Sequence, residues 1–429
     1  MTEAQKLKRG SYHLWTFMTS KLISTFGANV YSFAISFYIL QLTGSATNFA
    51  LNLICSILPR TIAAPFAGYV ADNFSRKRTI ILAQAASVLA IAGLLTVSLM
   101  NGLSLTAIYI TTCLLSLTST FSGITFTSSI SGLVDENRIQ KAMSLNQMSI
   151  SLASIVAPAL GGILYGAVSI PVFLIIYLIA SLVALILDST MDFQLFAKRS
   201  HVPVAGQEKE KLWVSMKEGF AYLKTKPVIQ TIIFIALFIN FFFGSFQVGY
   251  SFVLIEKLGM KSEHFGILEG AFAVGMLLLS VYLTIRKEIK YPLITAKYGI
   301  IGLALVIGGI AVPLLVPFSY QAMFVFYLIL MLAIGSFLTI INTPIGVMMQ
   351  KSVDDDFKGR VISILETMAQ VLMPLGTVIY GFLYDWVAAE WVLFISAGII
   401  IGIALFMLRP SVIANAYPER KNALQRITG

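Results

Sequence analysis

The stretch "GYVADNFSRKR", Gly68–Arg78, sets one acidic and three consecutive basic residues directly behind a long apolar run. The run occupies residues 47–70, and about 20 mostly apolar residues are enough for a helix to cross a bilayer. Charged residues at the end of such a run predict that the chain reaches a membrane surface there. The stretch is either a solvated anchor or a working part of a membrane protein.

Composition extends this prediction to the whole chain. Of its 429 residues, 57% are hydrophobic and 12% are charged, and the mean hydropathy is +0.85. Soluble domains contain roughly 25% charged residues, so we predict an all-α membrane protein. Twelve segments qualify as transmembrane helices: 14–42, 47–70, 79–100, 104–131, 145–168, 170–190, 228–254, 264–285, 293–315, 318–348, 362–384 and 391–408.

The net charge of +10 follows from the sidedness of the loops. If the N-terminus is inside, 25 of the 30 Lys and Arg residues fall on inner segments and two on outer loops. Lys and Arg are enriched in cytoplasmic loops, so we predict a multi-pass protein of a bacterial plasma membrane with both termini in the cytoplasm. The positive charge then needs no nucleic-acid partner.

The longest predicted loop separates the spans into six and six. We predict an N-terminal bundle at 1–190, a cytoplasmic loop at 191–227, a C-terminal bundle at 228–408 and a basic cytoplasmic tail at 409–429. In the loop, Leu212, Met216, Phe220 and Leu223 recur at helical spacing opposite lysines. This pattern favours an amphipathic helix on the inner leaflet, and a partner-binding helix is the alternative.

The two halves repeat one another. "LVDENRIQKAMS" before span five and "SVDDDFKGRVIS" before span eleven each contain a Val-Asp pair and a Ser nine residues after the Asp, at an offset of 219 residues. A proline and a Tyr-Gly pair follow in both spans. Duplicated halves of this kind are typical of secondary transporters.

The Gly-x-x-x-Asp-x-x-x-Arg-Lys-Arg pattern at Gly68–Arg78, with twelve spans and a cytoplasmic central loop, resembles the major facilitator superfamily. Further stretches resemble its efflux branch, near macrolide-efflux and siderophore-exporter proteins. These are "STFGANVYSFAISFYILQLTGSA" in span one, "ILPRTIAAPFAGYVAD" in span two, "APALGGILYG" in span five and "NTPIGVMMQKSVDDDFKGRVISILE" across spans ten and eleven. The resemblance covers nearly the whole chain.

The resemblance implies two pseudo-symmetric six-helix bundles around a central cavity lined by spans one, four, seven and ten, with alternating access by rocking of the bundles. Its loop motif maps onto Gly68, Asp72, Arg76 and Lys77 or Arg78, and the chain departs from it at Asn73 and Ser75. The equivalent acid in the family faces the start of span eleven, which here lies near Arg360. We expect an inner conformational latch formed by Gly68, Asp72, Arg76, Lys77 and Arg360. For the basic residues, plain topological anchoring is the alternative.

Span five contains Ala157-Pro158-x-x-Gly161-Gly162, which resembles the motif of exporters in this superfamily. Pro158 removes one helical hydrogen bond, and Gly161 and Gly162 permit close helix contact. The usual leading Gly is Ala157 here. Ordinary helix packing is the alternative interpretation of these three residues.

Polar residues inside predicted spans are candidates for a substrate cavity, because charges there cost about 2.5–3.5 kcal/mol on insertion scales. Arg60 lies near the midplane of span two, and its alternative role is a structural ion pair. Lys21 in span one could instead reach the inner surface, while Lys297 is interpreted as an anchor. The predicted cavity residues are Lys21, Asn29, Arg60, Asn240, Gln247 and Asn342.

Carboxylates inside or beside spans are candidates for proton coupling. Glu269 lies in span eight and Glu366 in span eleven, and Asp72 is a third possibility. Either glutamate could titrate if it is withdrawn from water, or could be solvated at a helix end. Asp188, near the inner end of span six, is interpreted as a boundary residue.

The sequence contains no pattern for metal, nucleotide or nucleophile chemistry, so we predict no catalytic residues, no metal and no cofactor. The leading hypothesis is a monomeric exporter of amphipathic small molecules, embedded in lipid and driven by proton antiport. An exporter or flippase for an anionic metabolite, siderophore or lipid is the alternative. A membrane enzyme or sensor would need acid, His or Cys residues clustered at one membrane face.

Overall fold

The computed structural model describes residues 2–193, 195–196, 221–353, 361, 364–365, 368 and 371–417. Three predicted features fall outside these residues: the Leu212–Phe220 part of the amphipathic helix, Arg360 and Glu366. Within the described residues the secondary structure is helical, as the all-α prediction requires.

Six helices form the N-terminal half: α1 Glu3–Thr43, α2 Ala46–Asn73, α3 Arg76–Asn101, α4 Leu105–Leu133, α5 Glu136–Ala167 and α6 Ile170–Thr190. The C-terminal half begins with α7 Pro227–Phe252, which continues into a π-helical turn, Val253–Lys257. It goes on with α8 Ser262–Ile285, α9 Pro292–Gly309 with a short helical stretch Val312–Leu315, α10 Tyr320–Ser352, α11 Met373–Trp386, α12 Ala389–Met407 and α13 Pro410–Ala416.

Ten helices in the described part of the chain are long and apolar enough to cross a membrane. α2, a helix of 28 residues, is not among them. α11 is described over only 14 residues. The all-helical membrane fold is therefore confirmed, whereas the count of twelve spans stays a prediction.

Several helices extend past the predicted span ends. α1 begins at Glu3, where Thr2 and Gln5 form a reciprocal capping box, rather than at residue 14. α5 begins at Glu136, rather than at residue 145. Hydropathy marks where lipid ends, but backbone hydrogen bonds within a helix need no lipid, so these helices continue into the interface.

Packing divides the chain into two units, Met1–Val202 with Met260–Gly270, and Pro203–Gly259 with Ala271–Gly429. This division assigns the start of α8 to the first unit, and the predicted domain boundaries stay predictions. In the first unit α1 packs on α5 and α6, and α3 packs on α4 and α6. In the second unit α7 packs on α11 and α12, and α9 packs on α10 and α12. The same pairings recur at an offset of six helices, as the sequence repeat predicts.

Glycines bring helix backbones together in the second unit. A Cβ on Gly335 of α10 would lie 2.0 Å from the Phe272 carbonyl oxygen of α8. One on Gly376 of α11 would lie 2.3 Å from the Phe241 carbonyl oxygen of α7. Lipid supplies no hydrophobic force between helices, so such close van der Waals contact holds them together.

Polar side chains join α2 to α4 in the first unit. The Thr112 hydroxyl donates to Asn52 Oδ1 at 3.0 Å, and the Ser116 hydroxyl donates to the Ser56 carbonyl at 2.5 Å. Tyr109 adds a bond to the Asn48 carbonyl at 3.1 Å. Buried polar groups need such partners, so these bonds stabilise the contact between α2 and α4.

Candidate transport site

The stretch Gly68–Arg78 is mostly helical, and its interpretation as a loop is wrong. Gly68 and Asp72 lie in the last turns of α2, while Arg76 and Lys77 lie in the first turn of α3, so only Phe74 and Ser75 connect the helices. Positively charged residues at a helix N-terminus oppose the helix dipole.

The latch itself stays a prediction. A Cβ on Gly68 would meet no described atom within 4 Å, so the described residues provide no close neighbour there. The side chain of Asp72 and the whole of Arg360 lie outside the described part of the structure, and so does Glu366.

The exporter-type motif lies within α5, with Pro158 inside the helix. A Cβ on Gly161 would lie 3.1 Å from the ring of Phe33, and one on Gly162 would lie 2.2 Å from the Ser262 carbonyl oxygen. On the other side of this contact, a Cβ on Gly266 of α8 would lie 2.4 Å from the Pro158 carbonyl oxygen. All of these residues belong to the first unit, in which glycines let α5 and the start of α8 meet backbone to backbone.

Two basic residues predicted for the cavity come close together in the first unit. Lys21 of α1 is half-buried and lies within electrostatic range of both Arg60 and Asp188. Arg60 of α2 is exposed and forms no ion pair with any described residue. The structural ion pair considered for Arg60 is therefore absent from the described part of the chain.

Asp188 is the functional candidate that sequence reasoning missed. It is 1% exposed rather than a solvated boundary residue. The Ser20 hydroxyl donates to its Oδ1, and its Oδ2 has no hydrogen-bond partner among the described residues. A sequence signal was present, since Asp188 is the one charged residue in the otherwise apolar helix Ile170–Thr190.

The remaining predicted cavity residues differ in burial. Asn29 of α1, in the first unit, is half-buried. In the second unit, Asn240 of α7 donates to the Ala236 carbonyl of its own helix at 2.8 Å. Gln247 of α7 has a buried Oε1 without a partner among the described residues, and Asn342 of α10 is exposed. Gln247 is thus the amide most in need of an external donor.

Aromatic residues flank Gln247 in the sequence of α7. Phe243 and Phe246 have ring centroids 4.9 Å apart, and Phe246 stacks on Tyr250 with centroids 5.6 Å apart. Phe246 also stacks on Phe272 of α8 at 6.5 Å. Apolar rings next to one orienting polar group are the usual composition of a small-molecule site.

Glu269 of α8 is half-buried within a predicted span. It forms neither a hydrogen bond nor an ion pair with the residues that the structure describes. No group of three or more His, Cys, Asp or Glu side chains among the described residues could hold a metal ion.

Comparisons with known proteins identify the family. Residues 10–423 match the transmembrane secretion effector family. The chain is 26% identical over 417 residues to an uncharacterised MFS-type transporter of Bacillus subtilis, YfiS, covering 96% of each chain. It is 23% identical over 414 residues to macrolide efflux protein A of Streptococcus pyogenes, covering 94% of this chain and 96% of that one. It is also 23% identical to the staphyloferrin A transporter of Staphylococcus aureus, covering 86% and 89%.

Solved structures confirm the fold. A bacterial homologue of the iron transporter ferroportin in an inward-facing state matches with a TM-score of 0.67 at 15% identity, covering 93% of this chain and 99% of that one. The D-xylose-proton symporter matches with a TM-score of 0.62 at 12% identity, covering 92% and 97%. The chain belongs to the transmembrane secretion effector family and is a multi-pass bacterial transporter of the major facilitator superfamily.

Proposed function

We propose that the chain exports amphipathic small molecules of the macrolide type by alternating access, in exchange for protons. The observation that carries this proposal is the aromatic row of α7 beside the buried, partnerless Oε1 of Gln247. A row of rings with one acceptor suits a bulky apolar solute that offers one hydrogen-bond donor. The similarity to macrolide efflux protein A along 94% of the chain supports the same substrate class.

Proton exchange is supported by Glu269. An ionisable side chain inside a membrane span is costly and is a functional-site hypothesis by default. Glu269 has no cationic partner among the described residues. It can therefore bind and release a proton without first breaking an ion pair.

A second substrate class, an anionic metabolite or siderophore, is favoured by Lys21 and Arg60. These two basic residues lie within electrostatic range of one another. A pair of positive charges in a low-dielectric environment attracts an anion more strongly than the same pair in water would. The similarity to the staphyloferrin A transporter supports this alternative.

In this proposal the protein is a monomer and both of its termini lie in the cytoplasm. The helix predicted at 212–223 would lie on the inner leaflet. The asymmetric distribution of Lys and Arg supports this orientation. The latch between Asp72 and Arg360 belongs to the same proposal, as does the exporter role of Pro158, Gly161 and Gly162.

The test is transport of radiolabelled erythromycin, a macrolide, by the purified chain in proteoliposomes with an imposed proton gradient. We expect erythromycin to accumulate against its gradient only while protons flow the other way. Equal flux with the proton gradient collapsed overturns proton exchange. No flux of erythromycin under any gradient overturns the macrolide substrate class.

Arg60→Ala separates the two substrate classes, with Lys297→Ala as the matched control. Lys297 is an intramembrane lysine that donates to the Leu408 carbonyl at 3.1 Å, so it links two helices. If the substrate is anionic, the unmodified chain binds citrate, Arg60→Ala abolishes that binding and Lys297→Ala retains it. If the substrate is a macrolide, no citrate binding is measured in the unmodified chain.

A further inference from the structure

The contact between α1 and α6 contains an acidic residue that the sequence analysis interpreted only as a boundary residue. Asp188, close to the end of α6 at Thr190, is 1% exposed. The Ser20 hydroxyl of α1 donates to Oδ1 of Asp188, and donates more weakly to the Ala184 carbonyl at 3.4 Å. Asp188 is thus held in place by the neighbouring helix.

The second carboxylate oxygen of Asp188, Oδ2, accepts no hydrogen bond from a described residue. Oδ2 is buried and has no hydrogen-bond partner among the described residues. A buried polar atom normally has a partner, and an exception calls for a physical explanation. A proton on Oδ2 would neutralise the carboxylate. The free-energy cost of burying a charged oxygen without a hydrogen-bond donor would then disappear.

Lys21 is the cation that faces Asp188 from α1, one residue after Ser20. The two groups are in electrostatic range, yet they do not form an ion pair by the usual distance of 4 Å or less. Lys21 is in turn within range of Arg60 on α2. The negative charge of ionised Asp188 therefore partly offsets the positive electrostatic field of Lys21 and Arg60.

Other helices packed on α6 also carry charged residues. α3 has its basic residues Arg76, Lys77 and Arg78 in its first turn, and Lys77 lies within range of His13. On α5, Arg138 pairs with Asp135 at 3.4 Å and donates to the Leu7 carbonyl at 3.2 Å.

We propose that Asp188 is a second proton-binding site of the transport cycle, in addition to Glu269, and that Lys21 tunes it. The proposal rests on proton exchange as the coupling of the proposed function. The carboxylate takes one proton from water onto Oδ2 and later releases the same proton, with no other bond formed or broken. Ser20 keeps its hydrogen bond to Oδ1 in both forms.

Protonation of Asp188 changes the field at Lys21 and Arg60. With Asp188 ionised, the three side chains carry a net charge of about +1, and with Asp188 neutral they carry about +2, since lysine and arginine remain charged at neutral pH. A cationic amphipathic solute is therefore repelled more strongly when the proton is bound. Mutual exclusion of proton and substrate is what exchange requires.

Asp188→Asn tests the proposal in the full chain, because the amide mimics the neutral carboxyl and can still accept from Ser20. We expect erythromycin exchange at equal concentrations on both sides to persist. The accumulation ratio at a proton gradient of one pH unit should fall about tenfold, because one coupled proton contributes about 1.4 kcal/mol per pH unit. The number of protons that enter per erythromycin molecule exported should fall by one.

Asp192→Asn is the matched control, since Asp192 is exposed just after the end of α6. We expect its accumulation ratio to equal that of the unmodified chain. An unchanged accumulation ratio and an unchanged proton count in Asp188→Asn overturn the proposal while leaving proton exchange intact. Gradient-independent transport by the unmodified chain instead overturns the proposed function.

Ser20→Ala and Lys21→Ala keep the proposal testable if Asp188→Asn does not accumulate in the membrane. Each removes one group that acts on Asp188 without removing the carboxyl. Each should move the pH midpoint of erythromycin accumulation relative to the unmodified chain. Identical midpoints in both variants and the unmodified chain overturn the proposal.

Discussion

A Cβ on Gly162 would lie 2.2 Å from the carbonyl oxygen of Ser262. The obstacle is backbone rather than a flexible side chain, so neither helix can yield without a shift of the chain. The same contact occurs in the opposite direction, since Gly266 of α8 packs on the Pro158 carbonyl of α5. Mutual close approach of this kind explains why α5 has glycine at residue 162, whatever role the motif has in export.

Gly162→Ala should destabilise the protein by about 1–3 kcal/mol, the usual cost of overpacking a well-packed contact. The measurement is the midpoint of thermal unfolding in detergent. Gly93→Ala in α3 is the matched control, because a Cβ there meets no described atom within 4 Å. That control should leave stability unchanged or raise it, since alanine favours helix over glycine. Equal midpoints for the two variants would contradict the packing account.

Gly335→Ala should destabilise the second unit in the same way, since its Cβ would lie 2.0 Å from the Phe272 carbonyl oxygen. Gly398→Ala in α12, which has no described atom within 4 Å of its Cβ position, is the control. The stability changes caused by substitutions at distant sites add within about 0.5 kcal/mol. The double variant Gly162→Ala with Gly335→Ala should therefore lose as much unfolding free energy as the two single variants together. A cost well below that sum would show that the two contacts are not independent.

The bond between Asn52 and Thr112 should contribute modestly to stability. Double-mutant cycles of hydrogen bonds between membrane helices average about 0.6 kcal/mol and reach about 1.7 kcal/mol. Asn52→Leu, Thr112→Val and the double variant should give a coupling energy in this range in unfolding measurements. The same cycle on Asn52 and exposed Thr127, which bonds within its own helix, should give none. A coupling of zero for Asn52 and Thr112 would refute the inter-helix bond.

Glu269→Gln should lower erythromycin accumulation and reduce its dependence on the proton gradient, because the amide cannot bind and release a proton. Glu263, an exposed residue of the same helix, provides the control as Glu263→Gln. Accumulation ratios measured at several pH values distinguish the variants. Gradient-driven accumulation that is the same in both would exclude Glu269 as a proton carrier.

Local patterns predict much of the fold. The predicted span 170–190 coincides with Ile170–Thr190, because the apolar run covers the same residues and Ser169 and Pro171 stand at its start. For Gly68–Arg78 the position between two helices is correct, but the description as a loop is wrong. Helix continuity depends on backbone hydrogen bonds, which hydropathy does not report.

The candidate site is predictable only in part, for a related reason. Lys21 and Arg60 are recognisable because a charge in an apolar run is conspicuous on its own. Asp188 looks like a boundary residue in the sequence, since distance along the helix is the only guide to its depth there. Its burial depends on α1, whose Ser20 and Lys21 face it although they are far away along the chain.

By itself the sequence determined the class of protein, the uneven distribution of Lys and Arg among its loops and its internal duplication, because hydropathy, charge counts and repeats are properties of segments. The tertiary structure alone decided which segments meet. The backbone of Ser262 packs on Gly162, and the hydroxyls of Thr112 and Ser20 donate hydrogen bonds to Asn52 and Asp188. Each contact joins residues on different helices, and the choice of helix face follows from the packing of many side chains together, which no single segment contains.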